Sequence, residues 1–213
     1  MNTDQLIDLL SNGAEPVAPR TAERRLTLTV LLGGAGAAIL MLGLFGPNPQ
    51  LRSLLSVTDF WVKMTFTGVL SVAALVTTLR LARPGDAVRG AMWWAVAAFV
   101  ALWTIGADAL VDAAAGDRVA TLMGHTWRTC PFSIALLSAP IFVATAIALR
   151  SLAPTRLREA GAAAGFFSGA FGAFVYGLHC PELAAPFIGT WYIVGIAIPT
   201  ALGAALGPSF LRW

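Results

Sequence analysis

Residues 26–46 read LTLTVLLGGAGAAILMLGLFG and contain no charged side chain. A helix needs about 20 consecutive apolar residues to cross the hydrocarbon core of a bilayer, and this run has that length. No small-residue cleavage site of the A-x-A type follows it, as a signal peptide would require. We therefore predict a membrane-spanning helix that stays in the protein.

The rest of the chain has a similar composition. Of 213 residues, 57% are hydrophobic and 12% are charged, and the mean hydropathy is +0.75, whereas about 25% of the residues of an average soluble domain are charged. Spans of roughly 20 residues leave room for six helices and no large soluble domain. Lipid offers no partner for unpaired backbone groups, so all spans must be helical. We predict an all-α integral membrane bundle with spans at residues 26–46, 60–82, 90–111, 131–150, 160–178 and 186–207.

The positive side chains divide unequally between the two sets of alternating loops. One set should face the cytoplasm, because Lys and Arg are enriched in cytoplasmic loops, and this places both termini there. The chain then has a cytoplasmic N-terminal segment, residues 1–25, and a six-helix transmembrane domain, residues 26–213. The cytoplasmic set is Arg20, Arg24, Arg25, Arg80, Arg83, Arg89, Arg150, Arg156, Arg158 and Arg212, and the opposite set is Arg52, Lys63, Arg118 and Arg128.

The N-terminal segment contains a short amphipathic pattern. Four apolar side chains stand beside two acidic ones, in a spacing that favours a short helix. These residues are Asp4, Leu6, Ile7, Asp8, Leu9 and Leu10. Thr3 or Asp4 is a candidate N-cap, and Gly13, Pro16 and Pro19 would end the helix. A frayed tail is the alternative.

Small residues recur at every fourth position in two spans. Helices inside a bilayer pack through close contact, which small side chains permit. We interpret both stripes as packing faces within the chain, with a dimer interface as the alternative. The stripes are Gly161, Gly165, Gly169 and Ala173 in the fifth span and Gly33 with Ala37 in the first.

The two cysteines, Cys130 and Cys180, are each followed directly by proline. The predicted topology places both at the outer rim, at the ends of adjacent antiparallel helices. Three interpretations remain open: a disulfide favoured by an oxidising periplasm, a metal-binding or oxidant-reactive thiol pair, or two buried structural thiols. The first two can be states of one sensor.

Other metal ligands lie close to the cysteines in sequence. His125, His179 and Glu182 are possible accessory ligands, since thiolate, imidazole and carboxylate groups all bind metals. The candidate metal set is Cys130, Cys180 and His179. No zinc spacing such as C-x2-C or H-E-x-x-H occurs. We therefore expect no resident cofactor, although a heavy metal ion can bind transiently at the cysteine pair.

Three ionisable residues, Asp59, Lys63 and Asp108, lie closest to membrane depth, where such groups are often functional. We expect Asp59 to cap the second helix, and Lys63 to reach outward to the interface or to pair with an acid such as Asp108. An ion pathway is the alternative. The chain lacks a G-x-S-x-G-like nucleophile with a facing histidine inside the bundle, so we predict no catalytic residue and no enzyme.

Several motifs of the second half form a recognisable series. They are Trp127 to Cys130, the LSAP run at 137–140, YGLHCPE at 176–182, TWY at 190–192, and the ending from Gly207-Pro208 to Leu211-Arg212-Trp213. Together with a start of the type Met-x-Thr-Asp-x-Leu-Ile-Asp, at residues 1–8, they make the chain resemble the NrsF-type membrane anti-sigma factors.

The resemblance implies a function and a partner. Its members are six-helix inner-membrane proteins of Gram-negative bacteria that hold an extracytoplasmic-function sigma factor inactive at the membrane. We expect this chain to make no direct contact with nucleic acid. It implies that Cys130 and Cys180 form a periplasmic pair sensing oxidant or heavy-metal stress, and that the arginine-bearing loops add to sigma-factor binding. The residues implied in sigma-factor capture are Asp4, Leu6, Ile7, Leu9 and Leu10.

A second function class stays open beside this one. A small membrane transporter or thiol-redox protein could use the same rim residues, Cys130, Cys180, His125 and His179. A transporter should place polar ligands near the bilayer midplane, whereas these crowd one rim. This placement favours the sensor.

Overall fold

The computed structural model describes residues 2–12, 21–82 and 89–212. Every regular element in these ranges is a helix, so the all-α prediction is confirmed. The elements are α1 (Thr3–Asn12), α2 (Thr21–Leu44), α3 (Leu51–Leu54), α4 (Thr58–Leu81), α5 (Arg89–Asp112), α6 (Arg118–Met123), α7 (Cys130–Arg150), α8 (Leu157–Tyr176), α9 (Ala185–Phe187), a π-helical turn (Ile188–Tyr192) and α10 (Ile193–Phe210).

Five helices are long and apolar enough to cross a membrane, and they coincide with five of the six predicted spans. They cover Glu23–Leu44, Thr58–Leu81, Gly90–Asp112, Cys130–Arg150 and Ala185–Phe210. Their ends differ from the predicted boundaries by only a few residues. The apolar length of each run therefore predicted both the helix and its extent.

The remaining predicted span, residues 160–178, corresponds to α8, a helix of 20 residues that is rich in Gly and Ala. It lies in the centre of the bundle and packs against α4, α7 and α10. A helix surrounded by protein needs small side chains for close contact more than it needs bulk to face lipid. The count of six spans stays a prediction that depends on this helix.

The small-residue stripe of α8 is a packing face within the chain, as predicted. A side-chain carbon added at Gly161 would overlap the carbonyl of Gly203, and one at Gly165 would overlap that of Pro199, so both positions require glycine. The stripe of α2 is similar, because a carbon added at Gly33 would lie 2.8 Å from the Cα of Ile141 in α7. The backbones themselves are in contact at these points.

The bundle has two ends of different character. At one end, which we call the arginine end, Arg25 donates to the backbone carbonyl of Ser151 at 2.8 Å, and Arg150 stacks on Phe210. At the other, which we call the cysteine end, α2 finishes beside the connection from α8 to α9, where Asn48 donates to Leu178 through the backbone. Arg20, Arg83 and the side chain of Arg89 lie outside the described residues.

The last span differs from a simple helix, because α9 and α10 are joined by the π-helical turn Ile188–Tyr192. Such single turns are rare and often occur at functional sites. The apolar pattern at residues 186–207 predicted the span but not this turn. The turn lies at the cysteine end, and the TWY motif forms its last three residues.

Candidate functional site

Cys130 and Cys180 lie at neighbouring ends of two packed helices. Cys130 is the first residue of α7, and Pro131 follows it in the first turn, where a helix tolerates the missing backbone donor. Cys180 follows α8, and its backbone N–H donates to the carbonyl of Tyr176 at 2.9 Å, which closes the turn after the helix. Because α7 and α8 pack side by side, the two thiols lie together at the cysteine end.

Both thiols are free and fully buried, with 0% of either residue exposed. They share a hydrogen bond in which the Cys130 thiol donates to the sulfur of Cys180. The backbone N–H of Glu182 donates to the same sulfur, and the hydroxyl of Thr126 lies 4.0 Å from it. The sulfur of Cys180 is therefore the acceptor at the centre of the site.

These contacts lower the pKa of the Cys180 thiol from 9.0 to about 6. The hydrogen bond from Cys130 is the largest cause, burial acts in the opposite direction, and the Glu182 N–H and the charge of Lys63 reinforce the lowering. The lowered pKa favours the thiolate of Cys180, the form that attacks oxidants and binds soft metals. The two cysteines thus differ, one as anion and the other as donor.

Lys63 lies inside the protein, so both positions expected for it, at the interface or beside Asp108, are wrong. Its residue is 0% exposed, and its ammonium donates to the backbone carbonyls of Cys180 at 2.9 Å and Glu182 at 3.2 Å. It also lies 5.6 Å from the centre of the Phe60 ring. The turn after α8 leaves these carbonyls without helical partners, and α4 packs close enough for Lys63 to reach them.

The expected cap of α4 is also absent. The helix begins after Val57, no side-chain hydrogen bond caps it, and Asp59 is its second residue, with an exposed side chain. The helix starts two residues earlier than predicted, so the carboxylate falls inside the first turn instead of before it. There it still interacts favourably with the helix dipole.

Glu182 organises the loop that leads into α7. Its carboxylate accepts the backbone N–H groups of His125 at 2.7 Å and Thr126 at 3.2 Å, although 57 residues separate it from His125 in sequence. The imidazole of His125 is almost fully exposed, with its Nδ1 3.8 Å from the carboxylate. Glu182 therefore holds the residues before Cys130 in place, and His125 takes part chiefly through its backbone.

His179 is held by other partners than the thiols. Its Nδ1 lies 2.9 Å from the carbonyl oxygen of Gly46, and its ring packs against Phe45 and Tyr176. Among the described residues, no three His, Cys, Asp or Glu side chains are grouped to hold a metal ion. In this arrangement the thiols of Cys130 and Cys180 are the two potential metal ligands that lie together. A third ligand could join them only after movement of the loop.

Aromatic residues enclose the site on the side of the π-helical turn. Tyr176 hydrogen-bonds with Cys180, and its ring lies 6.0 Å from that of Tyr192. The buried hydroxyl of Tyr192 also interacts with the sulfur of Cys180. The indole of Trp103, whose N–H has no hydrogen-bond partner within the described ranges, lies against Gly189 of the turn. Two tyrosine hydroxyls therefore face the sulfur of Cys180 from this side.

Comparisons with known proteins agree on one family. A family model described as "Negative regulator of sigma F", NrsF, matches residues 10–213. The chain belongs to the NrsF family. A probable anti-sigma-F factor NrsF of Azospira oryzae is 44% identical over 217 residues, and the anti-sigma-F factor NrsF of Caulobacter vibrioides is 37% identical over 222 residues, each covering 100% of both chains. No solved structure matches the chain.

NrsF membership assigns a regulatory role, directed at a sigma factor, and not a catalytic one. The motifs that carried the resemblance also contain much of the site, since YGLHCPE includes Tyr176, Cys180 and Glu182, and TWY includes Tyr192. Sequence reasoning did not assign the two tyrosines or Lys63 to the site. One signal for Lys63 was available, because it is the only lysine among the 14 Lys and Arg residues of the chain.

The N-terminal helix of this NrsF-family chain is formed as predicted, as α1, in which the N–H of Leu6 donates to the carbonyl of Asn2. Leu6 is 42% exposed and Ile7 is 57% exposed, and Asp4 is exposed as well. The side chains of Leu9 and Leu10 lie outside the described residues. The predicted helix stop at residues 13–20, with Gly13, Pro16 and Pro19, also lies outside them.

Proposed function

We propose that this chain is a membrane-bound anti-sigma factor that sequesters an extracytoplasmic-function sigma factor and releases it when Cys130 and Cys180 sense oxidant or heavy-metal stress. The observation that carries the proposal is the buried, hydrogen-bonded thiol pair at the end of the bundle opposite the arginine end. Family membership supports the sigma factor as partner.

The proposed orientation places the arginine end in the cytoplasm and the cysteine end in the periplasm of the inner membrane. Arginines at the ends of α4, α7 and α8 and near the C-terminus support it, because positive charge is retained on the cytoplasmic side. With α8 as the sixth span, both termini lie on one side. The thiols then belong to the compartment in which disulfides form and persist.

Capture of the sigma factor is assigned to the cytoplasmic face. The exposed Leu6 and Ile7 of α1, beside Asp4 and Asp8, form a face of the kind that an amphipathic helix lays into a partner's groove. Leu9 and Leu10 complete the proposed binding set. The arginine-bearing loops supply further contacts, which a segment as short as α1 needs.

The proposed signal is a change in the bonding of the two thiols. Oxidation to a disulfide, or shared binding of a thiophilic metal, removes the hydrogen bond from Cys130 to Cys180 and the negative charge beside Lys63. Because the thiols belong to α7 and to the connection after α8, the change alters the tie between central helices. Release of the sigma factor then requires two arrangements of the bundle with different affinities for it.

The test is a pull-down from detergent-solubilised membranes, with bound proteins identified by mass spectrometry. It compares the full chain, a chain lacking residues 2–12, the double variant Leu6→Asp/Ile7→Asp, and Ser11→Ala as a matched control on the same helix. We expect a sigma factor with the full chain and the control, and loss from the other two. No sigma factor with any of them would contradict the proposal and favour a transporter or thiol-redox protein.

A further inference from the structure

Lys63 is the most deeply buried cation of the cysteine end. Its residue has no exposed surface, and none of the described carboxylates forms a salt bridge with it. Two backbone carbonyls, from Cys180 and Glu182, accept from its ammonium, and the Phe60 ring faces it at 5.6 Å. A buried cation is costly unless it is paired and hydrogen-bonded, so these contacts and a nearby anion must offset the cost.

The anions near Lys63 are the sulfur of Cys180, which attracts it most strongly, and the carboxylate of Glu182. Lys63 bonds to the backbone of the same turn and attracts the thiolate electrostatically. The contact is long-range in the chain, since 117 residues separate Lys63 from Cys180. One side chain of α4 therefore links this helix to the turn that carries the central sulfur.

We propose that Lys63 is the positioning residue of the thiol pair. Its ammonium holds the turn of residues 180–182 against α4 and thereby keeps the sulfur of Cys180 within hydrogen-bond distance of the Cys130 thiol. This inference rests on the proposed sensing function for its biological meaning, but the positioning itself is a property of the reduced protein. Without Lys63 the turn loses its tie to α4, and the sulfur loses its nearest buried cation. Cys180 then becomes a poorer partner for Cys130.

The reaction that reports this positioning is oxidation of the pair by diamide. The Cys180 thiolate attacks one nitrogen of the N=N bond, and that nitrogen leaves as the Cys130 sulfur attacks Cys180. The two cysteines lose two electrons as the S–S bond forms, and diamide takes up these electrons with one proton from the Cys130 thiol and one from water to become a hydrazine. The rate depends on whether the two sulfurs face one another and on the thiolate character of the attacking one.

The experiment measures disulfide formation in the purified full chain, in vesicles of bacterial phospholipid, by the gel shift of unreacted thiols with maleimide-polyethylene glycol. We expect Lys63→Met, which is similar in shape but uncharged, to form the disulfide at least tenfold more slowly than the wild type. Lys63→Arg, which keeps the charge but not the compact ammonium, should recover part of the rate. Asp59→Asn, a charge change on the same helix end, should leave it unchanged.

A merely structural role for Lys63 would lower the yield or the melting temperature without this ordering of rates. A wild-type rate in Lys63→Met, or no recovery in Lys63→Arg, would overturn the proposal. If Lys63→Met does not accumulate in the membrane, Lys63→Gln takes its place and must also be slower than Lys63→Arg. Retention of the sigma factor by the wild-type protein is measured separately, with and without diamide. If the disulfide forms and the sigma factor stays bound, the proposed function is contradicted, but the role of Lys63 in positioning the thiols is not.

Discussion

The two ends of the bundle are held together by different kinds of contact. Towards the arginine end, helices meet backbone to backbone, as where Gly161 of α8 faces Gly203 and Gly207 of α10. At the cysteine end, a buried charged side chain bonds to the backbone of a segment distant in sequence, as Lys63 does to Cys180, whereas the similar contact of Arg25 with Ser151 at the arginine end is exposed. Close packing depends on shape, whereas these hydrogen bonds depend on charge, protonation and redox state.

This difference indicates where a chemical signal can enter the protein. An oxidant or a metal ion changes the charge and bonding of a thiolate but leaves a glycine contact as it was. The cysteine end is therefore suited to respond, and the glycine contacts are suited to carry a rigid displacement along α8 and α10. Substitutions that affect one kind of contact and spare the other can separate these two roles.

The largest effect is expected from Gly161→Leu, which breaks the packing towards the arginine end. The added side chain overlaps the Gly203 carbonyl and lies within 2.8 Å of the Gly207 Cα, and backbone cannot move aside as a side chain can. We expect a loss of more than about 3 kcal/mol of stability, enough to abolish folded protein. Size-exclusion chromatography and thermal unfolding in detergent measure this.

The matched control for that substitution is Gly43→Leu. A carbon added at Gly43 meets no atom within 4 Å, so the variant gains a leucine facing outward from α2 and should behave like the wild type. Equal behaviour of the two variants would show that the tight contacts between α8 and α10 do not limit the stability of the bundle.

The next effect is a loss of signalling without a loss of fold, from the double variant Cys130→Ser/Cys180→Ser. Both residues stay small, and the serine hydroxyls can retain a hydrogen bond, but neither a disulfide nor a soft-metal site can form. We expect unchanged repression without stress and no induction of a sigma-dependent reporter by diamide or cadmium. Induction at the wild-type level would contradict sensing by the pair.

A smaller effect, confined to the pKa of the Cys180 thiol, is expected from changes at Cys130. Its pKa of about 6 is low mainly because the Cys130 thiol donates to it, against the effect of burial. In the wild type, alkylation of Cys180 by iodoacetamide should therefore rise through pH 6 and level off near pH 7 to 8, because a thiol with a lowered pKa is already deprotonated above that value.

Two variants at Cys130 separate the hydrogen bond from the rest of the environment. Cys130→Ala removes the donor and leaves the burial, so the midpoint of alkylation should move up towards 9.0 or beyond, whereas Cys130→Ser keeps an O–H donor and a low midpoint. Mass spectrometry of the intact chain over a pH series measures both. Identical midpoints in the two variants would exclude Cys130 as the cause.

Much of the fold follows from the sequence, and less of the site does. The length of each apolar run predicted five spans to within a few residues, because the bilayer requirement acts on each segment by itself. The neighbouring positions of Cys130 and Cys180 also followed, since in two adjacent antiparallel helices the start of the first lies beside the end of the second. Such inferences need only the order of the segments along the chain.

The inward position of Lys63 did not follow, because its partners are backbone carbonyls in a turn more than a hundred residues away. The sequence pattern of α4 does not indicate which segment Lys63 faces. The π-helical turn was missed because the apolar length of residues 186–207 predicts a helix but not the hydrogen-bond spacing within it. Polar contacts between distant segments have to be observed in a structure, whereas the length of an apolar run is visible in a single segment of the sequence.

The smallest effect is expected from Glu182→Gln at the cysteine end. The amide oxygen can still accept from the N–H groups of His125 and Thr126, so only the contribution of the charge is lost, about 1 kcal/mol. This should lower the melting temperature by about 2–4 °C. Glu159→Gln is the control at the arginine end, because its ion pair with Arg156 is half exposed and such pairs contribute about 0–1 kcal/mol. An equal shift in both variants would mean that the buried carboxylate stabilises the loop before Cys130 no more than a surface charge does.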